Sequence, residues 1–326
     1  MRRDELGPNP LSMVTPVMRI IKKADTDAFL QRLEREYEVF DVRGDELPPK
    51  KYFFPPEETT FNVTLNGGAA TTPPAPRAFA LFGLTLRELE AITFLDEIMS
   101  NPERDYYYFR RRRRALLIGV TGERFEVAPG GDVILSDLRR DAYRVQAITA
   151  LGQEVIRRFL PDIESTEGRA RSRSEERAMP RLQELFMDTE LLKDAVEWSW
   201  KGYPAIWERL GRECLGCGIC TYVCPLCHCF SIEDGMDLSG AAARRCRKWD
   251  ACTLPGFARV AGGGNFHRTI RERYYNWFYH KFVRSFLEFG RAQCVACGMC
   301  RTHCPARIDI EEVLLDIVAR YKKRRR

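Results

Sequence analysis

The apolar positions of this chain change period along its length, and those changes mark out its elements. Near the start, Asp25 and Thr26 stand at the N-cap of a predicted helix whose apolar positions are Phe29, Leu30, Leu33 and Tyr37. Short apolar runs then follow strand period over 39–42, 61–65, 78–82, 116–120 and 133–138. Pro48-Pro49, Pro55-Pro56 and the Gly- and Pro-rich stretch over 67–76 punctuate them as turns and loops. Between the strands, Leu89, Ile92, Phe94, Leu95 and Ile98 predict a helix over 86–99. Val145, Ile148, Leu151, Ile156 and Phe159 predict a single amphipathic helix over 143–160. Residues 163–180 are polar and lose the pattern, as a linker does. Helical period resumes at Leu182, breaks near Gly202-Tyr203-Pro204, and returns over 269–289 as a long aromatic stretch. The pattern predicts an α+β protein with a mixed α/β docking domain over 1–162, a linker over 163–180 and a mainly helical domain over 181–326.

Composition narrows the class. Apolar residues make up 44% and charged residues 30%, as in an ordinary globular protein. No run approaches the length of a transmembrane helix. Asp4 and Glu5 follow the basic start, and Pro8, Pro10 and Pro16 interrupt any apolar signal core, so no signal peptide is expected. The net charge of +6 is partly local, in Arg110 to Arg114 and Lys322 to Arg326. Neither run sits in a nucleic-acid motif, so they read as solvated surface or subunit contacts and not as a nucleic-acid site.

The twelve cysteines carry the chemistry. Cys214, Cys217, Cys220 and Cys224 precede Pro225, and Cys294, Cys297, Cys300 and Cys304 precede Pro305. Both runs read C-x2-C-x2-C-x3-C-P, the spacing that holds [4Fe-4S] clusters in two-cluster ferredoxins. Three thiolates come from one tight loop, while the fourth starts a helix that points away and ligates the other cluster. The expected sets are therefore crossed: Cys214, Cys217, Cys220 and Cys304 on one cluster, and Cys294, Cys297, Cys300 and Cys224 on the other. Structural zinc prefers two separate cysteine pairs, and disulfides need an oxidising compartment. Reduced cysteines and the missing signal together point to the cytoplasm. The helical domain over 181–326 is accordingly expected to be ferredoxin-like, and longer than a minimal ferredoxin because of the long stretch between the runs.

Four cysteines remain: Cys227, Cys229, Cys246 and Cys252. Four soft thiolates suffice for a third iron–sulfur cluster or a zinc. The alternative is buried thiols acting as small hydrophobes. Cys227, Cys229 and Cys252 are the firmer candidates. His228 and His303 adjoin cysteines and suit hydrogen bonds to cluster sulfur better than ligation; His280 reads as structural. Gly262-Gly263-Gly264 lacks the context of a phosphate loop and is expected to permit close backbone packing around a cluster. No dinucleotide fingerprint, P-loop, nucleophile elbow or nickel-type cysteine pairing appears, so the chain shows no substrate site of its own. Two other classes stay open: an enzyme whose extra cysteines form a catalytic centre, and a redox-sensing regulator.

The first run with its following Leu226-Cys227-His228-Cys229-Phe230, then Arg247-Lys248-Trp249-Asp250-Ala251-Cys252, the stretch from Gly256 to Phe266, Tyr279-His280-Lys281-Phe282 and the second run resemble one family. It is the beta, electron-transfer subunit of cytoplasmic NiFe hydrogenases (sulfhydrogenases), a group that resembles the iron–sulfur electron-transfer component of anaerobic sulfite reductase. The likeness is strong over about 180–320, and looser at Leu47 to Glu57. It implies single-electron relay through two [4Fe-4S] clusters, and a partner subunit that binds flavin and NAD(P). It also implies a catalytic partner, a NiFe hydrogenase or a sulfite reductase, and ferredoxin as an external carrier. One departure stands out. The family shows Arg-Pro-Cys-Asp after the strand ending at Phe82-Gly83, whereas this chain has Thr85-Leu86-Arg87-Glu88, with Arg87 where that cysteine would align.

Overall fold

The computed structural model describes residues 18–64, 68–122, 130–138, 141–160 and 180–325. Among them the strands run, in chain order, β1 Met18–Lys22, β2 Glu38–Asp41, β3 Glu57–Thr64, β4 Ala69–Thr71, β5 Phe79–Leu84, β6 Ala115–Thr121, β7 Val133–Leu138, β8 Ala142–Ala147, β9 Phe230–Met236 and β10 Ala242–Trp249. The chain falls into two compact units, and the division is not linear: 1–45 with 74–176, and 46–73 with 177–326. Residues 46–73, which a linear reading keeps with the N-terminal domain, belong to the second unit because β3 ladders with β10. Residues 163–179 of the expected linker lie outside the described residues, and Pro180 already opens the helix Pro180–Phe186.

The first unit is built on a six-stranded sheet of order β1-β8-β7-β6-β5-β2. β2, β5, β6 and β7 are parallel; β8 and β1 add antiparallel at one edge. Every residue of β5 is buried and nearly every one of β6, the mark of parallel strands covered on both faces. The helix Leu86–Ile98 starts with a capping box, in which Thr85 Oγ1 accepts from Glu88 N at 3.2 Å and Glu88 Oε2 accepts from Thr85 N at 2.8 Å. Thr85-Leu86-Arg87-Glu88 is thus helix-start chemistry, with Arg87 half-buried in the first turn.

The single helix expected over 143–160 is corrected to a strand and a shorter helix. Val145 and Ala147 are buried at strand spacing in β8, and the helix occupies only Ala150–Phe159. Thr149 sets the boundary: its Oγ1 accepts from Gly152 N at 3.1 Å and donates to Asp132 Oδ1 at 2.7 Å. The arginine run is also not uniformly solvated. Arg112 is buried and its Nε donates to both Asp96 carboxylate oxygens at 3.0 Å, while Tyr108 donates to Asp96 at 2.7 Å.

The second unit is helix-rich. Thr189–Gly202, Pro204–Glu213, the aromatic helix Ile270–Tyr279 and the C-terminal helix Ile310–Arg325 share one core containing Leu192, Trp207, Trp277, Phe278, Leu314 and Ile317. Trp277 stacks on Tyr274 with an interplanar angle of 4°. Beyond Tyr279 the helix widens into a five-residue π turn, His280–Arg284, before Ser285–Phe289 completes it. An antiparallel sheet of order β4-β3-β10-β9 joins this unit. The sequence pattern does not announce β9 and β10, because their faces are mostly exposed and charged. Cross-strand pairs hold them instead, Arg245 to Asp234 at 2.6 Å and Lys248 to Glu233 at 2.7 Å. Gly262 and Gly263 have left-handed φ and nothing within 4 Å of a notional Cβ, so they serve an open turn and not the close packing expected of them. Among the described residues, no helix is long and apolar enough to cross a membrane.

Candidate metal centres

The two cysteine runs fold alike. Each passes through a left-handed residue, Gly216 (φ +65°) or Ala296 (φ +52°), then a second, Gly218 (φ +80°) or Gly298 (φ +74°). Each then forms one helical turn, Ile219–Tyr222 or Met299–Thr302. The reversal folds the chain back so that an amide faces the first thiol: Gly216 N to Cys214 Sγ and Ala296 N to Cys294 Sγ, both 3.4 Å. Ile308 N approaches Cys304 Sγ at the same distance. Amides pointed at sulfur stabilise thiolate and, equally, a sulfur-ligated metal.

Two cavities lie where these loops meet. The first is lined by Cys214, Cys217, Cys220 and Cys304, with Tyr274 and Trp277 of the aromatic helix. The second is lined by Cys294, Cys297, Cys300 and Cys224, with Lys281. Each cavity therefore draws three cysteines from one run and the fourth from the other; Cys300 also borders the first. Among the described residues, no three or more Cys, His, Asp or Glu side chains converge tightly enough to hold a single metal ion. A zinc ion draws its thiolates to within about 2.3 Å of one centre. The cysteines lining each cavity are the all-thiolate donor set of a polynuclear iron–sulfur group with one iron per thiolate.

Of the other four cysteines, the structure gathers three. Cys227 and Cys252 are buried and Cys229 is half-buried. A hydrogen bond from Cys252, against the penalty of burial, holds the Cys229 thiol below the usual range, and Cys252 is correspondingly raised. Cys227 bonds Cys224 in the same manner. That bond, opposed by burial and helped by Lys281 and Lys50, holds Cys224 well below the ordinary thiol range. Cys246 stands on β10 in the sheet, its sulfur 3.7 Å from Thr59 Oγ1. Burial pushes the Cys220 and Cys297 thiols up to about 12.

Two lysines are the functional residues that sequence reasoning missed. Lys50 is 2% exposed; its Nζ donates to the Cys227 carbonyl at 2.7 Å and the Thr221 carbonyl at 3.2 Å, and lies 4.4 Å from the Trp249 ring centre. Lys281 is 3% exposed, on the π turn; its Nζ donates to Cys224 Sγ at 3.2 Å and to the Gln293 carbonyl at 2.9 Å. Among the described residues neither lysine has a carboxylate partner. The two differ in titration: burial pulls Lys50 below the usual lysine range, against the opposing pull of Cys227, Cys224 and Cys229. Burial opposes the charge of Lys281, yet the thiolates of Cys224, Cys227 and Cys294 and the hydrogen bond to Cys224 hold it well above the usual lysine range. Four thiolates outweigh the positive core of a cubane cluster, so such a group would supply an anion beside the Lys281 ammonium. The only sequence signal for them was the general expectation of basic surroundings.

The histidines take structural bonds. His303 Nδ1 lies 3.0 Å from the Met299 carbonyl, and His228 Nδ1 lies 3.3 Å from the Leu226 carbonyl and 3.4 Å from Gln293 Nε2. Gln293 straps the two runs together, its Nε2 donating to the Leu226 carbonyl at 2.7 Å. Burial pushes His280 down to about 3.

Residues 213–308 match the family model of the 4Fe-4S dicluster domain. Over 287 residues the chain is 31% identical to sulfhydrogenase 2 subunit beta of Pyrococcus furiosus, covering 83% of each chain. It belongs to the sulfhydrogenase beta-subunit family. It is an iron–sulfur protein of the electron-transfer type within that family. No solved structure matches it.

Proposed function

We propose that the chain is the electron-relay subunit of a multi-subunit oxidoreductase, passing single electrons through two [4Fe-4S] clusters. Cys214, Cys217, Cys220 and Cys304 would hold one, and Cys294, Cys297, Cys300 and Cys224 the other. The observation that carries this reading is the pair of cavities, each lined by three cysteines of one run and the fourth of its twin. The bound groups would supply reversible one-electron chemistry; the chain's own residues position them, exclude water through Trp277 and Tyr274, and offset their charge through buried Lys281.

The partners proposed are a flavin- and NAD(P)-binding subunit or ferredoxin on one side and a catalytic NiFe hydrogenase on the other. The name of the Pyrococcus relative favours hydrogenase over a sulfite reductase. The first unit, with its buried sheet and without cysteine, suits docking, and the cytoplasm suits reduced cysteines. A second reading adds a third centre on Cys227, Cys229 and Cys252, favoured by three gathered thiols beside Lys50. In it the fourth donor comes from elsewhere than Cys246, whose sulfur faces Thr59.

The test is anaerobic mixing of the dithionite-reduced, iron-loaded chain with oxidised ferredoxin or flavin in a stopped-flow cell. Reoxidation without hydrogen production by the isolated chain is the expected result. Hydrogen turnover by the chain alone would make it an enzyme in its own right.

A further inference from the structure

The two cavities differ in one charged residue. None of the residues lining the first is charged, and its cysteines include the exposed Cys217 beside Leu215, which is 66% exposed. The second has the ammonium of Lys281 in its wall, at 3.2 Å from the sulfur of Cys224. That ammonium is fixed from two further directions. Its second bond goes to the Gln293 carbonyl, and the backbone closes the loop as Gln293 N donates to the Lys281 carbonyl at 2.8 Å. Lys281 lies in the π turn with its Nζ 5.4 Å from the ring centre of buried Trp277; such bulges recur at functional sites.

From this asymmetry we infer that Lys281 makes the centre in the second cavity the electron sink of the pair, the one reduced first. The inference rests on the two-cluster reading above. Adding one electron to a sulfur-ligated cluster makes it one charge more negative. A neighbouring cation and an N–H···S bond both favour the reduced state and raise its potential. Water at the exposed first cavity and the buried guanidinium of Arg273, which bears on Cys214, act in the same sense on the other centre. But the water screens, and the guanidinium bonds the Thr253, His267 and Arg268 carbonyls and no cysteine sulfur. The ammonium acts at contact distance in a buried site, where screening is weakest, and it dominates. An electron taken up at the Cys217 surface then runs downhill to the second cavity. Lys281 is a positioning residue in this sense: it touches a ligand and sets where the electron rests.

The experiment is an EPR-monitored redox titration of the full-length, iron-loaded chain, with iron counted in every sample. Lys281→Met is expected to keep about eight irons. It should weaken the first reduction at least about tenfold, which is 59 mV for a one-electron couple. The second reduction should move by much less, and Lys281→Arg should restore most of the loss. A first step that does not move, or two steps that move equally, at full iron content, overturns the inference. Should Lys281→Met not take up iron, Cys297→Ser decides instead. It should alter or abolish the EPR signal that grows in first; a change confined to the later signal overturns the inference. Iron well below about eight in the unaltered chain overturns the two-cluster reading, and the inference with it.

Discussion

The first cysteine cavity has Cys217 and Leu215 at the surface, uncharged walls, and glycine at both left-handed positions of its loop. The second has a buried cysteine, a buried lysine in its wall, and alanine at the first left-handed position. The same C-x2-C-x2-C-x3-C-P spacing therefore yields one cavity that meets solvent at Cys217 and one with a buried lysine against a cysteine sulfur. Spacing sets which cysteines can face a cavity; the helices and loops packed behind each run set the charge and exposure around them.

The comparison breaks most visibly at the fourth cysteines. Cys304→Ala should empty the first cavity although Cys304 belongs to the second run, and Cys224→Ala should empty the second. Each variant is expected to lose about half the iron, with EPR reporting which signal survives. If Cys304→Ala removes the signal that responds to Lys281→Met, the sets are uncrossed. Alkylation of the iron-free chain sharpens the contrast in exposure. Iodoacetamide should label Cys217 at least about tenfold faster than Cys297, whose thiol burial pushes up to about 12, as peptide mass spectrometry would resolve. Equal labelling would mean that the interior cavity is open.

Gly218→Ala tests the loop itself. At φ +80° with the new Cβ 2.9 Å from the Ala251 Cβ, it should cost at least about 1–2 kcal/mol and lower the thermal midpoint. The reverse change at the first left-handed position of the other loop, Ala296→Gly, should be nearly neutral, since relief of the left-handed strain is offset by loss of one buried methyl, about 0.8 kcal/mol. The smallest effect is at His280, beside Lys281. Its folded pKa of about 3 lies below the ordinary 6.5, so between those values the unfolded chain binds a proton that the folded chain does not. The stability from neutral His280 is complete above about 6.5 and is lost as pH falls toward about 3, by under about 1 kcal/mol between pH 7 and 6. His280→Phe should flatten that slope in urea unfolding of the iron-free chain.

Much of this was legible in sequence, for identifiable reasons. The strand over 133–138 and the helix over 86–99 read correctly because Val133-Ile134-Leu135 is a short apolar run and Leu89, Ile92, Leu95 and Ile98 keep helical period. The error at 143–160 arose where Val145 and Ile156 fit one helical face, while the Thr149 cap and the period-two burial of Val145 and Ala147 carried the real boundary. β9 and β10 were invisible because a charged, exposed hairpin is held by ion pairs and not by an apolar face. The cysteine runs declared themselves by spacing. Lys50 and Lys281 did not, since nothing in Lys50-Lys51-Tyr52 or His280-Lys281-Phe282 says that one lysine is buried against sulfur.

The most direct measurement is iron and acid-labile sulfide in the anaerobic full-length chain, with EPR of the dithionite-reduced protein. About eight irons and eight sulfides with a coupled two-spin signal is the predicted result. About twelve irons would add a third centre at Cys227, Cys229 and Cys252. Zinc in place of iron, or two non-interacting spins, would contradict a crossed pair of neighbouring clusters.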